Sequence, residues 1–378
     1  MASRAFFFFV LGTLSLLLGL RTQHHDLDFR ALYVVGCQWL QGHPHFYPDL
    51  HKPLPLFSYK YSPFFPILMA GFGYVSEPHA RLMWGVCNAV ALLVLWWSAE
   101  AFLAQCGMRI KSSARWVSLL LLLDPLATNA IQGNINLLLT SGMMLSLLLV
   151  AYGQPRPKQV AGALLLALVS AVKLTPLAST IPLLAQRRWT LLAFTGFFFF
   201  FFLAVCPLFF YGLESTLTLY HDWIFVLKDH THFPFLKYTN QSVSAVGQRL
   251  GLSRWGIATL WLGIHIGLVW ACVRAVRAKD GASLASLSFL FVLTVPEIVW
   301  KEYSVALLCP YLVIHQRLFS GLLPASAWWY WGSRIVGVHL CVPALLGREL
   351  AHAFNAAGNQ LWGTLLMIPL LLPYPKQK

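Results

Sequence analysis

Apolar runs make up most of the chain, and short polar stretches, many of them basic, separate one run from the next. Residues 5–20 form the first run behind Arg4, and 82–103 form the next. A helix needs roughly 20 apolar residues to cross a bilayer, so both are predicted spans. Farther on, 116–123 and 137–152 flank a polar turn at 124–136, and 160–172 and 177–185 flank a turn at 173–176. Residues 189–211 include the phenylalanine-rich run 197–202 and lead into a polar loop that ends near Arg254. The runs 255–273, 284–295 and 304–314 follow, with a turn at 296–303, and 318–331, 335–346 and 361–372 supply two or three further spans. Several of these runs are too short to cross fully. Their outer turns are therefore expected below the membrane surface, where polar backbone is tolerated only beside protein or a wet cavity.

Composition fixes the solvent. Hydrophobic residues are 58% of the chain and charged residues 11%, more apolar material than one soluble core buries. The expected fold class is an all-α polytopic membrane protein, one membrane domain over 1–378. It divides into a first transmembrane helix at 1–20, an external loop at 21–81 with juxtamembrane helices, a core helix bundle at 82–315 and C-terminal helices at 316–378. The first run could pass for a signal peptide, but it lacks a small-residue cleavage site and further spans follow, which favours a retained helix.

The net charge of +14 would suggest nucleic acid in a soluble protein. Here the basic residues cluster between apolar runs, at Arg109, Lys111 and Arg115, at Arg156 and Lys158, at Arg187 and Arg188, at Arg274, Arg277 and Lys279, and at Arg317. They read as topology signals, and no nucleic-acid partner is expected. With each cluster cytoplasmic, spans must pair between clusters, so 63–75 cannot cross and is expected to lie along the outer surface. The seven cysteines show no metal spacing and read as small buried hydrophobes.

Candidate chemistry gathers on the outer side of this topology. His24-His25-Asp26-Leu27-Asp28-Phe29 follows the first helix directly. Asp28 is either a functional carboxylate or the cap of a short helix running through Tyr33 to Leu40. Lys173 ends an apolar helix, where it either meets an anion or snorkels to headgroups. Gln132, Asn134 and Asn136 end another outward segment, and Lys301-Glu302 ends a third, with a surface ion pair as the alternative there. Asp28, Gln132, Asn134, Lys173 and Lys301 are expected to converge on one outward cavity. A carboxylate beside cations suits transfer from a phosphate-linked donor, the carboxylate taking a hydroxyl proton and the cations stabilising the departing phosphate. A transporter shares some of these signs, and a lipid-handling scaffold is a third reading. The Asn240-Gln241-Ser242 sequon falls on an outer loop.

These residues resemble, in pattern and order, the motifs of glycosyltransferase family 87, a polyprenyl-phosphate-mannose-dependent group of the GT-C fold. Asp28-Phe29 followed by Tyr33, Gly36, Gly42 and Tyr47 resembles the family's first element, and Tyr61-Ser62-Pro63 its Tyr-x-Pro. Gln132-Gly133-Asn134-Ile135-Asn136 resembles a Gly-Gln-x-Asn turn with its first pair inverted, and Lys173-Leu174-Thr175-Pro176 a Lys-x-x-Pro element. The late element departs further, reading Pro296-Glu297-Ile298-Val299-Trp300-Lys301-Glu302-Tyr303. The resemblance implies a GT-C-like bundle and transfer of mannose to a glycan or glycolipid hydroxyl, with membrane lipids as further partners. It implies Asp28 as base with Asp26 as substitute, and donor contacts from Lys173, Gln132, Asn134, Asn136, Tyr61, Lys60, Lys301 and Glu302. A lipid monophosphate donor has no diphosphate for a metal to bridge, so Asp26-Leu27-Asp28 need not hold a metal, and no cofactor is expected.

Overall fold

A computed structural model describes residues 2–21, 27–43, 45–47, 59–151, 153–229, 239–340 and 347–373. Among the described residues all regular structure is helical and there is no strand. In chain order the helices are α1 (Ala2–Arg21), α2 (Leu27–Leu40), α3 (Phe65–Gly73), α4 (Glu77–Gln105), α5 (Ser112–Gln132), α6 (Asn136–Val150) and α7 (Arg156–Val172). A 3-10 turn at Thr175–Thr180 leads into α8 (Ile181–Ala185), and α9 (Trp189–Phe200) passes through a π turn at Phe201–Val205 into α10 (Cys206–Asp229). Then come α11 (Val243–Arg249), α12 (Arg254–Arg277), α13 (Gly281–Thr294), a 3-10 turn at Lys301–Leu307, α14 (Leu308–Phe319) and α15 (Ser326–Arg334), with shorter helices after them.

The protein is an all-α polytopic membrane protein. Glu77–Gln105, Trp189–Lys228 and Arg254–Arg277 are long and apolar enough to cross a bilayer. Along Trp189–Lys228 large aromatic side chains stay exposed, with Phe197 63% and Phe209 82% accessible, as suits a helix whose solvent is lipid. Asn136–Val150, Thr175–Ala185 and Gly281–Thr294 are apolar but shorter, as the interrupted pattern predicts, and Ser3–Leu18, expected as a full first span, is also shorter.

Contacts divide the chain into two compact units, the first made of Met1–Ser98, Leu126–Leu177 and Trp189–Pro234, the second of Ala99–Pro125, Ala178–Arg188 and Phe235–Lys378. In the first unit small residues set the closest approaches. A methyl on Gly36 of α2 would run into the backbone carbonyl of Met69 in α3, with the carbonyl carbon 2.7 Å away, and one on Gly73 would stand 2.9 Å from Leu40 Cδ1. Between α6 and α7, Gly162 leaves no room for a side chain beside Leu149 and Ser146, and Ser146 Oγ donates to the Gly162 carbonyl at 2.9 Å. Small residues of this kind bring membrane helices together where no hydrophobic gain drives them. Phe29 is fully buried against Phe72 and Trp84, which seats the start of α2 on α3 and α4.

The second unit is built on α13 and α14, whose side chains are almost all buried. Two of its cations are paired within the unit. Arg115 pairs with Glu100 at 2.6 Å, and Arg317 pairs with Asp280 at 2.6 Å while also donating to the Leu370 carbonyl. Arg317 is therefore a buried structural cation as well as a candidate topology signal. Asn240 is fully buried, and its carboxamide accepts from Ser242 N and Val299 N and donates to the Glu297 carbonyl. The sequon residue is thus a clamp on the 296–300 segment, and Ser242 Oγ caps α11 by accepting from Ala245 N.

Two expected loops are helix. The turn placed at 124–136 is confined to 133–135, because α5 carries Pro125 inside it and runs on to Gln132. A proline removes one backbone bond and kinks a helix without having to end it inside a protein-lined membrane domain. After Gly212, whose φ is +74°, the chain resumes helix to Asp229 where a polar loop was expected. Within 63–75, where a helix along the outer surface is expected, the chain forms α3, and Pro66 lies at its first positions, where the missing N–H has no partner to lose.

Candidate active site

All of the groups described next, from Asp28 to Lys173, belong to the first unit. The site is assembled from helix ends. At the close of α5, Gly133 takes φ +65°, Gly133 N donates to the Ala130 carbonyl, and Asn134 N donates to the Asn129 carbonyl at 3.0 Å. That pairing is a Schellman ending, which needs a residue content with positive φ at its hinge and explains the glycine inside Gln132-Gly133-Asn134. Trp84 Nε1 donates to the Gly133 carbonyl at 2.8 Å and fixes the turn from α4.

At the close of α7, Lys173 leaves the helix in an extended conformation, φ −150° and ψ 136°. The last carbonyls of α7 have no helical partners. Ser62 supplies them, its Oγ donating to the Ala171 carbonyl at 2.5 Å and its backbone N to the Val172 carbonyl at 3.4 Å. The carbonyls of the Ser62 segment are held in turn: Trp223 Nε1 donates to Lys60 O, Tyr47 to Tyr61 O, Tyr59 to Ser62 O and Tyr211 to Pro63 O, at 2.8 to 3.1 Å. Four successive carbonyls bonded by aromatic side chains leave the backbone of residues 60–63 little freedom.

Across these ends runs a chain of polar contacts. Asp28 lies in the first turn of α2, and its Oδ2 accepts from Asn134 Nδ2 at 2.7 Å. Asn134 Oδ1 accepts from Asn136 N at 2.9 Å. Lys173 Nζ donates to Asn136 Oδ1 at 3.0 Å and stands 5.7 Å from the centre of the Tyr61 ring. Burial lifts the Asp28 carboxyl above its ordinary value, while the Lys60 ammonium, the Asn134 hydrogen bond and the Lys173 ammonium pull it back down. The outcome is an ionisable carboxylate more basic than an exposed aspartate, with two cations beside it. Asn136 Nδ2 and Gln132 Oε1 are buried and have no hydrogen-bond partner among the described residues. Buried amides left unsatisfied are ordinarily met by water or by a ligand.

Asp28, Asn134, Asn136, Lys173 and Tyr61 are therefore in one contiguous group, with Lys60 acting on it through space and Gln132 on the same turn. Asp28 does not end its helix as a cap. It sits one residue inside, and its carboxylate reaches to another element. Asp26, the substitute base, lies outside the described residues. Lys301 and Glu302 belong to the second unit, where Lys301 pairs with Asp124 and Glu302 is buried. The sequence offers no sign that Asn134 meets Asp28 directly, or that Tyr47, Tyr211 and Trp223 anchor the Lys60 segment, since pairings 14 to 163 residues apart leave no local pattern.

Residues 59–296 match the family model described as Glycosyltransferase family 87. No curated protein and no solved structure matches the chain. The matched stretch takes in Lys60, Tyr61, Gln132, Asn134, Asn136 and Lys173 and begins after Asp28, which the folded chain nonetheless joins to them.

Proposed function

Because the chain belongs to glycosyltransferase family 87, we propose that this membrane glycosyltransferase moves mannose from a polyprenyl-phosphate donor to a hydroxyl of a glycan or glycolipid on the extracytoplasmic side. Family membership makes the chain a transferase and sets aside the transporter and scaffold readings. The observation that carries the finer proposal is the hydrogen-bonded line from the Asp28 carboxylate through Asn134 and Asn136 to the Lys173 ammonium. It puts a basic carboxylate at one end and a cation at the other, the pair that a single displacement on a sugar phosphate needs.

In this reading the acceptor hydroxyl gives its proton to Asp28 as its oxygen bonds to the anomeric carbon. The bond from that carbon to the phosphate oxygen breaks, and the electron pair leaves with the lipid phosphate, whose charge grows by one. Lys173 and Lys60 stabilise that added charge, and a β-linked donor gives an α-linked product. The protonated Asp28 returns its proton to water before the next turnover. Asn136 and Gln132 offer buried amide groups to the donor.

The test is sugar transfer by the purified protein in lipid vesicles. Radiolabelled mannose should pass to an acceptor from polyprenyl-phosphate mannose and not from a nucleotide-linked mannose. Transfer from the nucleotide sugar alone would overturn the donor assignment.

A further inference from the structure

We infer that Asn134 is the positioning residue for the Asp28 carboxylate: it holds Oδ2 and so presents Oδ1 to the acceptor hydroxyl. The inference deepens the proposed function and rests on Asp28 being the base.

A general base must bring one lone pair within about 2.6 to 3.2 Å of the proton it removes, which an aspartate free to turn about its side-chain bonds does only part of the time. Asn134 limits that freedom. Its Nδ2 donates to Asp28 Oδ2 at 2.7 Å, and among the described residues nothing hydrogen-bonds Asp28 Oδ1. The amide itself cannot turn over. With Oδ1 and Nδ2 exchanged, an acceptor would face the carboxylate oxygen and a donor would face Asn136 N, replacing two attractive contacts by two repulsive ones. The orientation of Asn134 thus follows from its neighbours' chemistry.

The backbone beneath it is equally fixed. Asn134 N is bonded to the Asn129 carbonyl, Gly133 is pinned by Trp84, and the Asn134 residue is only 6% exposed. Two successive helix ends, the close of α5 and the start of α6, therefore support a single donor aimed at a single oxygen. A group that served only to neutralise Asp28 would not need such a mounting, because Lys60 and Lys173 already face the carboxylate as charges, from the 59–63 segment and from the end of α7. What those ammonium groups cannot supply is direction: each is a rotating donor on a flexible stem, and the planar amide is not.

The role separates from substrate binding in kinetics. In Asn134→Ala the loss of one hydrogen bond to a charged group should lower kcat by about 10- to 100-fold while the donor KM stays within about twofold. The acid limb of the pH profile of kcat/KM should move to higher pH, since the bond favours the ionised carboxylate. Asn134→Asp keeps the shape and the acceptor for Asn136 N but sets a second carboxylate against Asp28, and its limb should move farther in the same direction. If Asn134→Ala does not fold, Asn134→Asp carries the test. In an Asp28→Asn background, Asn134→Ala should cost less than about a further twofold, because a positioning residue has nothing left to position. An unmoved acid limb together with a raised donor KM, or an additive loss in that background, would overturn the inference and assign Asn134 to the donor. An active Asp28→Asn protein would instead overturn the base assignment, a separate result visible before any Asn134 variant is made.

Discussion

Replacing Asp28 by asparagine changes two measurable quantities in opposite directions. The side chains are nearly the same size, and an asparagine Oδ1 can still accept the hydrogen bond from Asn134 Nδ2, so the contact at 2.7 Å survives. What is lost is the basic lone pair. Removing a general base typically slows a reaction by about 10² to 10⁴, or about 2.7 to 5.5 kcal/mol of transition-state stabilisation. Stability should move the other way. The folded chain holds the Asp28 carboxyl above its ordinary value, with burial the largest cause. A carboxyl raised in the folded state favours the fold while protonated, and that contribution is lost as the pH rises from the ordinary aspartate range through the raised folded value. At neutral pH the ionised group is therefore a net burden on the fold, and Asp28→Asn should unfold at a higher temperature than the parent. Below the ordinary aspartate range the difference should vanish. Transfer of radiolabelled sugar from the lipid donor, paired with thermal unfolding at pH 7 and at low pH in the same detergent, reads both effects. Near-parental turnover would move the base elsewhere, and a lowered unfolding temperature would make Asp28 a structural residue.

Lys173→Met keeps the length of an apolar stem and removes the ammonium that binds Asn136 Oδ1; donor KM should rise by about 10- to 100-fold. The acid limb of the pH profile should also rise, since Lys173 lowers the Asp28 value, and an unchanged KM would return the residue to headgroup snorkelling. Gly36→Ala drives a methyl into the Met69 backbone and forces α2 from α3, with an expected loss of about 1 to 3 kcal/mol in denaturant midpoint measurements. Since α2 carries Asp28, transfer should fall with it, and full stability would mean the helices slide apart freely. Cysteines placed at Lys111 and Lys158 should label only from the cytoplasmic side, as the basic clusters require, whereas external labelling would invert the topology and the side on which transfer occurs.

The parts of this fold legible in the sequence are those governed by local pattern. Apolar runs locate α4, α9 and α12, and short runs foretell that α6, α7 and α13 fall below full span length. Lys173 was readable as a helix-ending cation because an apolar helix gives a lysine few places to go. The sequence reading fails where a polar residue looks like a break that the folded chain absorbs. Asp124 does not end α5, because Lys301 receives its charge, and the stretch after Gly212 remains helical to Asp229. Arg317, read from the sequence as a topology signal, is also held by Asp280 and main-chain carbonyls, a partnership the sequence does not announce. Sequence position states a residue's charge but not its partner, and a partner 37 residues away decides whether that charge faces water or protein.

The same distinction explains why the site is where it is. A polar group in an apolar domain is stable only when its hydrogen bonds are met, and helix ends are where backbone donors and acceptors run out of partners. In the first unit the unmet carbonyls of α7 are taken by Ser62, the turn at Gly133 exposes Asn134, and the start of α6 brings up Asn136. Each helix that stops short thus requires a polar neighbour, and each such neighbour can be turned toward a substrate at small further cost. A full-length span would need none of them. The shortness of α6 and α7 is accordingly the structural condition for gathering a carboxylate, two amides and an ammonium inside a membrane protein. Lengthening α7 by an alanine turn ahead of Lys173 would carry the ammonium about 5 Å along the axis. It would break the Ser62 and Asn136 contacts together and should abolish transfer even if the helix inserts normally.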